Sequence, residues 1–246
     1  MNAILRATKI AFPAAAVSFL IAGALHGQSL PEGYTVPDFT LSPDHRFGVT
    51  VPQVAYDDQI KDPKNELIEV KPGHVLATIK AETGWDHANF NAVLPSRWSP
   101  DGSLLLWNVA GKWFPTALVL LELQDGAVKW QLNVLKSSQQ AILARTKKAK
   151  PGPYAAAMKD NAGNGSAYPD GFTVTVHILG DPKQPLSLPL NLLVNLTSNP
   201  KEMDDMTNLD AQLNATVDKN GKFTVSKFHL LTPTQYQQSE ASTVSE

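Results

Sequence analysis

The densest gathering of side chains able to bind something is Thr83-Gly84-Trp85-Asp86-His87-Ala88-Asn89-Phe90-Asn91. Aromatic rings supply flat apolar faces, and the carboxylate, imidazole and amides supply directed hydrogen bonds. Binding residues concentrate on loops held by rigid scaffolds. Trp85, Asp86, His87 and Asn89, joined by Arg97 and Trp113 from neighbouring turns, are therefore the candidate binding set. His74, His87 and Asp86 are metal-ligating types, but no His-x-x-x-His spacing fixes two imidazoles on one face, and no metal ligand or cofactor is assigned. Nucleophile signatures are missing as well: there is no Gly-x-Ser-x-Gly elbow and no Ser-x-x-Lys with its companion motifs. Ser138 reads as a helix-capping residue. Asp57-Asp58 and Asp204-Asp205 have the residue types of a glycosidase pair, but adjacent residues on a strand point oppositely and on a loop they face solvent. Asp218-x-Asn220-Gly221 lacks the distal glutamate of a calcium loop and reads as a hairpin turn. Gly163-Asn164-Gly165 precedes a strand instead of the helix that a phosphate loop requires.

These residues must be positioned by strands. Pro100 presets φ in Ser99-Pro100-Asp101-Gly102, Asp101 can accept amide protons ahead of it, and Gly102 tolerates the left-handed region, so this is a turn. The apolar run Ser103 to Val109 predicts a strand covered on both faces. A second run spans Ala117 to Leu123, followed by the turn Gln124-Asp125-Gly126. From Ala127 to Leu135, Val128, Trp130, Leu132 and Val134 alternate with polar residues, which predicts a strand with one wet face. The block is a three-strand antiparallel meander. Trp98, Trp107 and Trp130 are expected to fill its core.

A second copy precedes it. Leu67-Ile68-Glu69-Val70-Lys71-Pro72-Gly73-His74-Val75-Leu76-Ala77-Thr78-Ile79 matches Leu120 to Leu132 at an offset of 53 in its apolar positions, glutamate and turn glycine. The Ser42-Pro43-Asp44 and Ser99-Pro100-Asp101 turns are offset by 57. Over roughly Thr40 to Leu135 the chain resembles the TolB-type, WD-repeat-like β-propeller family, whose blades place a Ser-Pro-Asp-Gly turn before a buried strand. That resemblance implies blade-like sheets and no particular activity. A closed propeller takes about four blades and two copies are present, so self-association through exposed sheet edges is one expectation.

The pattern changes from Lys136. Ser137 with Gln140 three residues on predicts a capped helix that ends, basic, at Arg145 to Lys150 before Pro151-Gly152-Pro153. A short second helix is expected from Tyr154 to Lys159. Beyond Gly165 the chain is β again. Phe172 to Ile178, Leu186 to Leu196 and Leu209 to Val217 alternate, and Asp218 to Gly221 turns into Phe223 to Leu230 with a phase slip near Ser226-Lys227 that predicts a bulge. Four such strands must cover one apolar face, either against each other as a sandwich or against the front sheet. The fold class expected is mostly β: an antiparallel meander of two blade-like repeats (28–135), a helical connector (136–165), a C-terminal antiparallel β sheet or sandwich (166–231), and a disordered tail (232–246).

Arg6 and Lys9, the apolar stretch Ile10 to Ala22, and Ala22-Gly23-Ala24 have the form of a signal peptide cleaved after Ala24. Removing residues 1–24 takes away those two bases and no acid, leaving 19 bases against 23 acids, a charge of −4. Nucleic acid is not implied as a partner. Zero cysteines exclude a disulfide scaffold and a cysteine-linked lipoprotein. The expectation is an exported, periplasmic or secreted, non-enzymatic binding or scaffold protein with a protein or glycan partner in the bacterial cell envelope and no stable membrane span after cleavage. The alternative is an exported hydrolase whose His and Asp residues converge from loops.

Overall fold

The computed structural model describes residues 30–87, 89–112, 115–161, 172–181, 183–198, 209–232, 234, 235 and 238. Residues 1–24, where a signal peptide is expected, Trp113, Gly163-Asn164-Gly165 and most of 232–246 lie outside the described residues. The described chain is mostly β, with three antiparallel sheets and two α-helices. The first sheet runs in the order β1 (Tyr34–Thr35), β2 (Phe47–Pro52), β3 (Glu66–Glu69), β4 (His74–Thr78). In the second, β7 (Leu104–Ala110) carries the short strands β5 (Ala92–Val93) and β6 (Arg97–Trp98) on one edge, with β8 (Pro115–Gln124) and β9 (Ala127–Asn133) following on the other. Helices α1 (Val134–Ala149) and α2 (Pro151–Asn161) lead to a third sheet of β10 (Thr173–Ile178), β11 (Leu190–Thr197), β12 (Asp210–Val217) and β13 (Phe223–Leu231) in sequential order.

The two duplicated segments close their turns with the same bonds. Ser42 Oγ donates to Asp44 and accepts from the Phe47 amide at 3.0 Å; Ser99 Oγ donates to Asp101 and accepts from the Leu104 amide at 2.8 Å. His45 (φ 58°) holds the left-handed position that Gly102 (φ 69°) holds in the second copy. Each sheet also has a register shift at its third junction, between Leu67 and Ile68 in one and between Glu122 and Leu123 in the other.

Side-chain alternation decides the layering. Phe47, Val49, Val51 and Leu67 of the first sheet pack on Leu105, Trp107, Val109, Val119 and Leu121 of the second. On the second sheet's other face, Leu104, Leu106, Leu118 and Leu120 join Val134, Leu135 and Ile142 of α1 and the apolar face of the third sheet. The run from Ser103 to Val109 is uniformly apolar because β7 is covered on both sides. The third sheet's apolar face is not covered by its own strands; it packs against the front region, on β7 and β8 of the second sheet, as one of the two expected alternatives has it, and α1 adds a further layer to that core. Trp107 is fully buried and Trp98 stacks on Phe47 with ring centroids 6.5 Å apart, while Trp130 packs at the edge of the other cluster.

Several local expectations shift. β9 ends at Asn133 and α1 starts at once, capped by the Asn133 carboxamide accepting from the Lys136 amide at 2.9 Å, not by Ser137 or Ser138. An extended Asn at a strand end can cap directly, whereas Ser138 lies fully buried on the helix's inner face. The second helix begins at Pro151, two residues before Pro153. Leu186 and Leu188 keep the alternating pattern but stay outside β11, because Pro189 supplies no backbone donor for the ladder. The bulge falls where the phase slips: β12–β13 pairing jumps from Lys227 to Val225, leaving Ser226 over.

Asn133 does more than cap. Its Nδ2 donates to Lys80 O at 3.3 Å, and Gln131 beside it donates to Thr78 O at 3.1 Å and accepts from the Lys80 amide at 3.0 Å. These side-chain amides continue the hydrogen bonding of β4 and tie the first sheet to the second. Asn133→Ala removes a cap and an inter-sheet bond, and is expected to cost about 2 kcal/mol in urea unfolding. Asn133→Ser retains capping and should recover about half of that loss.

Candidate functional site

The loop between β4 and β5 carries the candidate residues, and buried polar contacts hold its base. Asn65, 3% exposed at the start of β3, donates to Gly84 O at 2.8 Å and Thr50 O at 3.2 Å and accepts from the Gly84 amide at 2.7 Å. A Cβ on Gly84 would lie 2.6 Å from Val93 Cγ2 and 2.8 Å from Val109 Cγ2, so only glycine lets the loop approach the sheet this closely. Thr83 Oγ1 donates to Pro63 O at 2.6 Å. The loop then closes on itself, with the Trp85 amide bonded to Asn91 O at 2.8 Å and the Val93 amide to Trp85 O at 3.1 Å.

Within that frame the candidate residues divide. Asp86 bonds outward from the loop: its amide donates to Pro52 O, and its carboxylate accepts from the Val54 amide at 2.6 Å. Trp85 is half-buried and pairs through its backbone with Ala92. His87 (φ 50°) and Asn91 (φ 55°) take left-handed conformations that reverse the chain, and His87, Asn89 and Phe90 are exposed at the tip. Phe90 is 55% exposed, and Lys112 Nζ sits 5.3 Å from its ring centroid. Val54, bonded to Asp86 through its backbone, is 42% exposed. Arg97 stands elsewhere. It pairs with Leu106 whereas Ala92 pairs with Ala110, so four residues along β7, roughly 13 Å, separate it from the loop's end. Its guanidinium donates to Gln184 O at 3.3 Å, joining the second sheet to the connection before β11. The structure thus gathers Trp85, Asp86, His87 and Asn89 on one loop and does not bring Arg97 to them; Trp113 is outside the described residues.

Asn65, Lys112 and Val54 were missed from sequence. Asn65 had no visible signal, since an asparagine before a strand reads as loop chemistry until the backbone it reaches is known. Lys112, next to Trp113 in sequence, was within reach of the same reasoning that selected that tryptophan.

The remaining chemistry candidates stay apart. Among the described residues neither His74 nor His87 is bonded to a carboxylate, and no group of three His, Asp or Glu side chains could hold a metal ion. Asp57 accepts from the exposed Asp58 amide, Asp204-Asp205 lies outside the described residues, and Asp218 accepts from the Asn220 and Lys222 amides of its turn. These amide bonds lower the Asp218 pKa.

The two serine turns contribute to the acid behaviour. The Ser42 hydroxyl and then the Arg46 amide hold the Asp44 carboxyl below its usual range, and Ser99 followed by Ser103 does the same for Asp101. A depressed carboxylate contributes stability that is present above its unfolded value near 3.9 and is lost as pH falls through the folded one. Asp210 has the opposite sign, because burial raises its pKa and favours the folded state as the pH drops. Thermal midpoints are therefore expected to fall below about pH 4. The drop should flatten in Ser42→Ala/Ser99→Ala and steepen in Asp210→Asn, as scanning calorimetry against pH would read.

Among the described residues no helix is long and apolar enough to cross a membrane. Compared with protein-family models, curated proteins and solved structures, the chain matches none.

Proposed function

We propose that this chain is an exported, non-enzymatic binding or scaffold protein of the bacterial cell envelope, and that it contacts a protein or glycan through the tip at His87, Asn89 and Phe90. The observation that carries this reading is a large exposed aromatic ring on a loop whose base is fixed: Phe90 is 55% exposed, while Asn65 and Asp86 pin the arm before it and the Val93 amide ties the arm after it to Trp85 O. A pre-ordered loop loses little conformational freedom on binding, and an aromatic with a cation over its ring is a typical anchor. The basic start, apolar stretch and Ala22-Gly23-Ala24 of residues 1–24 support export, as a signal peptide would have that form. The blade-like repeats fit a framework role, with two sheets holding the loop between them.

The test is a pull-down from envelope extracts followed by affinity measurement on the captured partner. Phe90→Ala is expected to weaken binding about 30-fold, as for an anchor worth about 2 kcal/mol, and His87→Ala less. Both leave the thermal midpoint unchanged, because neither side chain is packed in the core. Undiminished binding by both variants would remove this loop as the contact surface.

A further inference from the structure

The internal duplication offers a control for what the fold itself requires. On the outer face of the first sheet stand Gly48, Thr50, Glu66, Ile68 and Val75, whose equivalents in the second sheet are Leu105, Trp107, Val119, Leu121 and Val128. In the second sheet all five are apolar, and they pack beneath the first sheet. Among the described residues no further sheet covers that face, and the lead-in chain crosses only part of it: Val36 and Leu41 lie over Gly48, so close that a Cβ there would come within 2.7 and 2.9 Å of them. Beside this strap a groove of about 350 Å³ remains open, walled by Leu30, Pro31, Ile68 and Val75. Leu30 and Val75 are 37% and 39% exposed there.

Among the described residues Glu66 is the one charged residue lining this groove. The Thr50 hydroxyl is already committed to the Glu66 backbone, accepting from its amide at 3.1 Å and donating to its carbonyl at 3.4 Å. Lys64 is near enough to feel Glu66, but its ammonium is held by Asp62 at 2.9 Å. Among the described residues no ion pair uses the Glu66 carboxylate. The equivalent position in the other copy is filled by valine, so the strand does not need an acid there. A mostly apolar recess of ligand size with one orienting polar group is the usual form of a small-molecule site.

We propose that this groove binds a small organic cation, a primary ammonium on an aliphatic stem, with the ammonium on Glu66 and the stem against Leu30, Ile68 and Val75. Charge complementarity selects the class: a carboxylate partly withdrawn from water favours a cation that can donate to it, and the apolar walls favour a hydrocarbon body over a bare ion. The site is independent of the Phe90 loop.

Titrating the 15N-labelled protein at pH 7 with hexylammonium, hexanoate and hexan-1-ol tests this. The expected result is saturable shifts of the Gly73 and Val75 amides with hexylammonium, and binding of the other two at least about tenfold weaker. Glu66→Val, the residue of the second copy, should weaken hexylammonium by a similar factor without moving the thermal midpoint. Glu66→Gln gives the same readout if the valine variant does not fold. Equal binding of hexan-1-ol, no saturable shift at those amides, or undiminished binding in the folded variant would each overturn the proposal.

Discussion

Asn65→Leu is expected to lower the unfolding free energy by about 3–5 kcal/mol, because it leaves the Gly84 amide, the Gly84 carbonyl and the Thr50 carbonyl without their partner. Leucine keeps asparagine's branching but is bulkier, so overpacking of this closed site adds to the loss of the hydrogen bonds. The site is 3% exposed, which gives water little access to the abandoned groups. Asn65→Asp is the informative companion. It keeps an acceptor for the Gly84 amide but sets a carboxylate against two carbonyl oxygens, and should cost at least as much as leucine. Urea unfolding gives the magnitude. Hydrogen exchange gives the place: the Gly84 amide should lose protection in both variants before β7 does, since the loop is released first while Leu105, Trp107 and Val109 remain packed. If the Gly84 amide exchanges as slowly in Asn65→Leu as in the unaltered chain, the loop is held by something other than this side chain.

That result bears on what the sequence made legible. Period-two alternation was enough to place β10, β12 and β13, because burying one face of a strand leaves a mark at every second residue, while unbroken apolar runs placed β7 and β8, which are covered on both faces. The phase slip at Ser226 located a bulge for the same reason. Alternation cannot say what covers a face. The third sheet's strands look alike whether a sheet or a helix lies over them, so the insertion of α1 as a core layer was invisible. Nor could alternation stop a strand at Pro189, where the limit is a missing donor. The candidate loop was visible as composition, and its exposed residues His87, Asn89 and Phe90 lie within the predicted stretch. Its internal division was not visible. Asp86 and Asn65 are polar in the same way as Asn89, and only the backbone groups they reach show that two of them hold the loop while the third faces solvent.

Gly221 presents the converse case, in which a correct local reason understates a residue's constraint. As the second residue of Asn220-Gly221 it reads as the glycine of a hairpin turn, and its φ of 74° agrees. The structure adds a second demand, for a Cβ at Gly221 would lie 2.6, 2.7 and 2.9 Å from Trp130 Cδ2, Cε3 and Cε2. The turn of the third sheet is thus pressed on a tryptophan face of the second, joining the two halves of the chain. Gly221→Ala is expected to cost about 1 kcal/mol for the left-handed backbone and about 1–3 kcal/mol more for forcing the indole away, roughly 2–4 kcal/mol together. A double-mutant cycle separates the two terms. In a Trp130→Leu background the ring is gone and a flexible side chain can yield, so Gly221→Ala should cost only the backbone term, leaving a coupling energy of about 1–3 kcal/mol. Additivity of the two substitutions would mean that the hairpin and β9 do not bear on each other in solution. A coupling of the expected size would establish Trp130 against Gly221 as the contact that sets the third sheet's turn on the second sheet.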